Sequence, residues 1–139
     1  MLLDRKWEKF EGGPAIKKGS HTGPRITINR QGEIYMNRAG WEALRKPRGV
    51  ALYYSREHDS IALQPANPRH AEVFPVVPKQ TGYSIYAATF CRHHRIRIPN
   101  TERFLRPNYT EQGNLILNLR ETVTVGGFNR KKKTRQASP

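Results

Sequence analysis

From Arg25 onward the chain alternates apolar and polar positions in short runs, the period-two pattern of half-buried strands. Ile26 and Ile28 alternate with Arg25, Thr27 and Asn29, and Arg30, Gln31 and Gly32 supply a turn into a second strand over Glu33, Ile34, Tyr35 and Met36. Asn37 is placed to cap a helix running from Arg38 through Trp41 and Leu44 to about Lys46, which Pro47 and Gly49 end. Val50, Leu52 and Tyr54 predict a third strand, Arg56 to Asp59 a polar hairpin tip, and Ile61 and Leu63 a fourth strand.

Pro65, Pro68, Pro75 and Pro78 punctuate the next stretch, which reads as a linker followed by an edge strand through Phe74, Val76 and Val77. The earlier order then returns. Gln80, Thr81 and Gly82 echo the turn at Arg30, Gln31 and Gly32, and Ile85 and Tyr86 echo Ile34 and Tyr35. A short helix is expected from Thr89 through His94, with Phe90 as its core contact. Arg103 to Tyr109 and Leu115 to Leu119 predict a hairpin around Glu111, Gln112, Gly113 and Asn114, with Leu115, Leu117 and Leu119 on one face. This repetition, at a spacing of about fifty residues, points to a pseudo-symmetric body of two units, each strand-strand-helix-strand-strand.

Glycine and proline break up residues 1–24, which reads as an extended arm in which Trp7 and Phe10 are free to dock on the core or to stack on a base. The chain thus divides into that arm, a single compact domain over 25–121 built of two weak repeats (25–66 and 73–121), and a tail over 122–139 without regular structure. Composition sharpens the division. Of 139 residues, 25 are Lys or Arg and 11 are Asp or Glu, a formal charge of +14, which gathers polyanions. The tail carries five basic residues and no acid. Neither a secretory leader nor a membrane-spanning stretch is expected, and a single cysteine, Cys91, fits a reducing, cytoplasmic compartment, nucleoid-associated if the source is bacterial.

The run from Arg25 to Leu44, with Gly32 at the turn, Ile34 and Met36 on the second strand, and Ala43 and Leu44 ending the helix, resembles the AbrB/MazE-type swapped-hairpin (SpoVT-AbrB-like) DNA-binding domains. Members pair two copies of this unit into one interlaced barrel. The resemblance therefore implies a β-rich α+β fold in which two tandem copies complete a small pseudo-two-fold barrel within one chain, with flexible basic ends. Either a monomeric pseudo-dimer or a homodimer is compatible with it. Glu33, Trp41 and Glu42 stand where the family commonly carries basic residues, and Asn37 replaces its strand-end proline, so specific DNA readout does not transfer position by position.

The residues expected to contact phosphates fall into three groups. Arg130, Lys131, Lys132, Lys133 and Arg135 form a cluster able to displace counterions from a nucleic-acid backbone, or alternatively a solubilising end or localisation signal. Arg92, Arg95 and Arg97, on or just after the second helix, offer a basic edge beside His93 and His94. Arg25, Arg30 and Arg38 flank the first turn and helix. Cys91, His93 and His94 lack the partners of a tetrahedral metal site, and no catalytic motif is present, so neither an enzyme nor a cofactor is expected. The expectation is a DNA-binding accessory or regulatory protein acting in transcription. The alternatives are an RNA or ribonucleoprotein component using Tyr35, Tyr53, Tyr54, Tyr83 or Tyr86 for stacking, or a protein-interaction subunit of a nucleoprotein assembly.

Overall fold

The structure, a computed structural model, describes residues 23–126. The sequence-predicted arm up to residue 22, with Trp7 and Phe10, and the tail beyond residue 126 lie outside the described residues. Strands β1 (Ile26–Ile28) and β2 (Glu33–Asn37) form a hairpin and lead into helix α1 (Arg38–Ala43). Strands β3 (Gly49–Ser55) and β4 (Ser60–Pro65) form a second hairpin, followed by two short strands, β5 (Phe74–Pro75) and β6 (Val77–Pro78). The chain continues through β7 (Gly82–Tyr86), α2 (Ala88–His94), β8 (Glu102–Phe104), β9 (Asn108–Tyr109), β10 (Leu115–Asn118) and β11 (Thr122–Thr124).

Among the described residues these strands form two antiparallel sheets. One has the order β11-β8-β1-β2-β7-β6, the other β9-β10-β4-β3-β5. Strands β1, β2, β4 and β10 contribute alternate residues to the core: Ile26 and Ile28, Ile34 and Met36, Ile61 and Leu63, and Leu115 and Leu117 are all without exposure. Each such aliphatic side chain contributes about 1.5–3 kcal/mol of burial. Leu44, just past α1, and Phe90, on α2, close the core, which supplies the contact expected of Phe90.

Four boundaries differ from the sequence reading. The apolar run expected to be one edge strand is split: Phe74 and Pro75 pair with β3, whereas Val77 and Pro78 pair with β7 in the other sheet. Buried Val76 is the crossing point, its N–H donating to the Arg48 carbonyl at 2.9 Å. The strand expected over Arg103–Tyr109 is likewise broken at Leu105–Pro107, so that β8 and β9 belong to different sheets. Helix α1 stops at Ala43 because Arg45 and Lys46 turn left-handed (φ 70° and 56°) and the Lys46 N–H returns to the Trp41 carbonyl at 2.9 Å. The first residues of the expected tail, Thr122–Thr124, form β11, which pairs with β8. The β-branched run Thr122-Val123-Thr124 suits a strand whatever its net charge.

Asn37 caps α1 as expected. Its Oδ1 accepts from the Gly40 N–H at 2.8 Å and from the Arg25 N–H at 2.9 Å, and its Nδ2 donates to the Gly23 carbonyl at 3.0 Å. One side chain thus fixes both the helix start and the entry of the chain into β1.

Candidate nucleic-acid interface

The turn between β1 and β2 is tied by Asn29, whose Oδ1 accepts from the N–H groups of Gln31 and Glu33, both at 3.0 Å. Such local side-chain bonds hold the backbone in a turn. Gly32 adopts φ +82°, and its carbonyl accepts from the Ala87 N–H at 2.9 Å. A Cβ on Gly32 would lie 2.8 Å from the Ala88 Cα, so only glycine permits this contact. The turn is thereby pressed against the start of α2, and Arg30 comes beside residues more than fifty positions away.

Helix α2 ends at Arg95, which is left-handed (φ 59°), and the Ile96 N–H returns to the Cys91 carbonyl at 2.8 Å. From there the chain extends: Arg95 and Arg97 are exposed, and Ile96 and Ile98 are half-buried. This alternation turns the guanidinium groups outward and the isoleucines inward.

The result is a groove of about 1270 Å³ into which Arg30, Arg92, Arg95 and Arg97 all face. Apart from the polar Gln31 its remaining walls come from aliphatic or small residues, with Gly32 and Cys91 buried and no Asp or Glu among the lining residues. Among the described residues none of the four guanidinium groups has a hydrogen-bonding or ion-pair partner. Burial pushes the Cys91 thiol above its ordinary pKa, which keeps it neutral. His94 is pushed down, first by burial and then by neighbouring His93 and Arg56, so near neutral pH it adds no charge beside the groove.

The segment Arg95–Pro99 also borders a smaller cavity of about 330 Å³ that contains Asp59 and Glu102. Both acids already have donors: Asp59 accepts from the Tyr54 hydroxyl at 2.7 Å, and Glu102 accepts from Thr122 at 3.0 Å and Thr124 at 2.9 Å. The Tyr54 hydroxyl is raised in pKa, first by that bond to Asp59 and then by burial.

The other sequence-predicted residues stand apart from the groove. Arg38 donates through Nε to Glu42 Oε2 at 3.1 Å on the exposed face of α1, which pairs its charge locally. Arg25 borders a separate hollow of about 450 Å³ with Arg103, a neighbour that sequence order does not suggest. Arg130, Lys131, Lys132, Lys133 and Arg135 lie outside the described residues.

Several tyrosines considered for stacking are occupied. Tyr83 stacks on Trp41 at 4.0 Å between ring centroids with 14° between the planes, while Trp41 Nε1 donates to the Pro47 carbonyl at 2.9 Å. Tyr35 shares a hydrogen bond with Thr81. Tyr53 and Tyr86 remain 55% and 50% exposed, although Tyr53 donates to Gln64 and Tyr86 accepts from Lys79. No helix among the described residues is long and apolar enough to cross a membrane.

Comparison with protein-family profiles, curated proteins and solved structures finds no match for this chain.

Proposed function

We propose that this protein is a non-enzymatic nucleic-acid-binding protein, with DNA favoured, in an accessory or regulatory role. The observation that carries the reading is the convergence of Arg30 with Arg92, Arg95 and Arg97 on one acid-free groove. Guanidinium groups recognise phosphate through planar, bidentate hydrogen bonds, and four such groups without partners among the described residues offer donors that a phosphate backbone satisfies. Affinity of this kind comes from counterion release and falls steeply with salt.

We also propose that the body is a single-chain pair of swapped-hairpin units of AbrB/MazE type, related by a pseudo-two-fold and closing into a barrel. Two registers support this. Ile34 lies directly opposite Ile85 between β2 and β7, and Leu63 directly opposite Leu115 between β4 and β10. Each pair is separated by about fifty residues in sequence, the spacing of the repeat, which is what a two-fold passing between equivalent residues requires. One short strand fits the same scheme, since β6 flanks β7 as β1 flanks β2.

An RNA target is the second reading, favoured by the exposure of Tyr53 and Tyr86, since single strands are recognised by stacking. The test is titration of the full chain, and of a chain ending at Gly126, with duplex DNA, single-stranded DNA and RNA across a salt series. Binding by both chains, steeply salt-dependent, is expected. Absence of binding to all three at low salt overturns the proposal, and loss of all binding on truncation reassigns the site to the tail.

A further inference from the structure

The rim of the arginine groove and its base differ in chemistry. Phosphates alone, being strongly hydrated, gain nothing from an apolar base and lose hydration against it. Here the arginines and Gln31 share the groove with Ala88, Cys91, Ile96, Ile98 and Pro99, of which Cys91 is only 6% exposed and Ile96 and Ile98 are half-buried. At about 1270 Å³ the groove is larger than phosphate groups lying across its rim would need. The ligand that matches both parts is one whose anionic groups and apolar planar group are covalently joined a few ångströms apart.

Resting on the nucleic-acid reading above, we infer that the groove takes an unstacked nucleotide of a single-stranded segment, its base against the aliphatic base of the groove and its flanking phosphates on the arginines. Bases taken out of a duplex or held in a single strand are bound by this combination of stacking between apolar side chains and cationic backbone contacts. Arginine planes at the rim add a stacking surface of their own. Duplex DNA, whose bases are already stacked, leaves the aliphatic base of the groove uncovered. Ribose and deoxyribose strands share the chemistry, and separate arms of the test distinguish them.

The test uses the full chain and a fluorescein-labelled oligothymidylate of about ten nucleotides, a length within the range of single-strand binding sites. It is compared with a strand of equal length and charge whose central positions are abasic. The base-bearing strand is expected to bind at least about fivefold more tightly, with an unchanged salt slope, because one stacked base is lost and no phosphate is. The oligouridylate arm reports ribose against deoxyribose. Equal affinities of the two strands overturn the inference and leave the phosphate reading intact. Failure of every strand and of duplex DNA to bind overturns both.

Discussion

Replacing Arg30, Arg92, Arg95 and Arg97 together by Gln removes four charges from one groove while leaving shorter, neutral donors. All four side chains are exposed and without partners among the described residues, so the fold is expected to hold within about 0.5 kcal/mol per site. Each guanidinium that neutralises a phosphate of duplex DNA contributes about 0.9 to the slope of log affinity against log salt. Four contacts therefore account for a slope of about 3.6, and between about 50 and 200 mM salt the unaltered protein loses about 150-fold more affinity than the variant. A single substitution, such as Arg92→Gln, reduces that loss by about 3.5-fold. The tail and the remaining surface charges are common to both proteins, so the difference in slope isolates the groove. The assay is fluorescence anisotropy of a labelled duplex across the salt series, with urea unfolding as the check on stability. Arg38→Gln, which removes a charge already paired with Glu42, serves as the control and leaves the slope nearly unchanged. Equal slopes for the quadruple variant and the unaltered protein, or an equal effect of Arg38→Gln and Arg92→Gln, would refute the assignment.

Gly32→Ala is expected to destabilise by about 2 kcal/mol, since it forces a side chain into the left-handed region, with further cost from crowding against Ala88. It also weakens binding by separating Arg30 from α2, and a variant with unaltered urea midpoint and affinity would contradict the role given to this turn. Asn37→Ala loses the helix cap and the bonds to Arg25 and Gly23, a cost of about 1–2 kcal/mol measurable by urea unfolding, whereas Asn37→Asp keeps the two acceptor bonds and recovers part of it. Tyr109, whose hydroxyl donates to the Gly40 carbonyl at 3.1 Å, is pushed by burial from 10.0 to about 12. A folded-state pKa above the unfolded one favours the protonated phenol in the native state, so this contribution is whole below pH 10.0 and is lost as pH rises toward 12. Tyr109→Phe should flatten the fall of the urea midpoint over that window, and parallel pH profiles for the two proteins would count against it.

The strands with one face in the core were legible in the sequence because burial on a single side imposes period two: Ile26 with Ile28, Ile34 with Met36, and Leu115 with Leu117 all declare their inward face. The crossings between sheets were not legible. Phe74, Val76 and Val77 are apolar without a period, and their division between two sheets depends on which distant strands, β3 and β7, offer free edges. The end of α1 escaped for a related reason, because nothing in the propensities of Arg45 and Lys46 announces a left-handed pair. Within the site, Arg92, Arg95 and Arg97 were found together because they lie within six positions. Their meeting with Arg30 rests on Gly32 touching Ala88, a contact between residues far apart in sequence whose only advance sign was a glycine at a turn.

The stack of Trp41 on Tyr83 gains a meaning from the proposed two-fold. Under the spacing of 51 that places Ile34 opposite Ile85, one more than the 50 that matches Gly82 to Gly32 in the sequence, Trp41 corresponds to Arg92 and Tyr83 to Gly32. Two aromatic rings thus occupy the place in one half that the other half leaves open and charged. A symmetric dimer offers its ligand the same site twice and suits a palindrome. Under the proposed two-fold, divergence within one chain leaves one such charged groove among the described residues, and the complex proposed for it would then have one strand per molecule and a direction, with the 5′ and 3′ sides of the bound nucleotide meeting different surfaces.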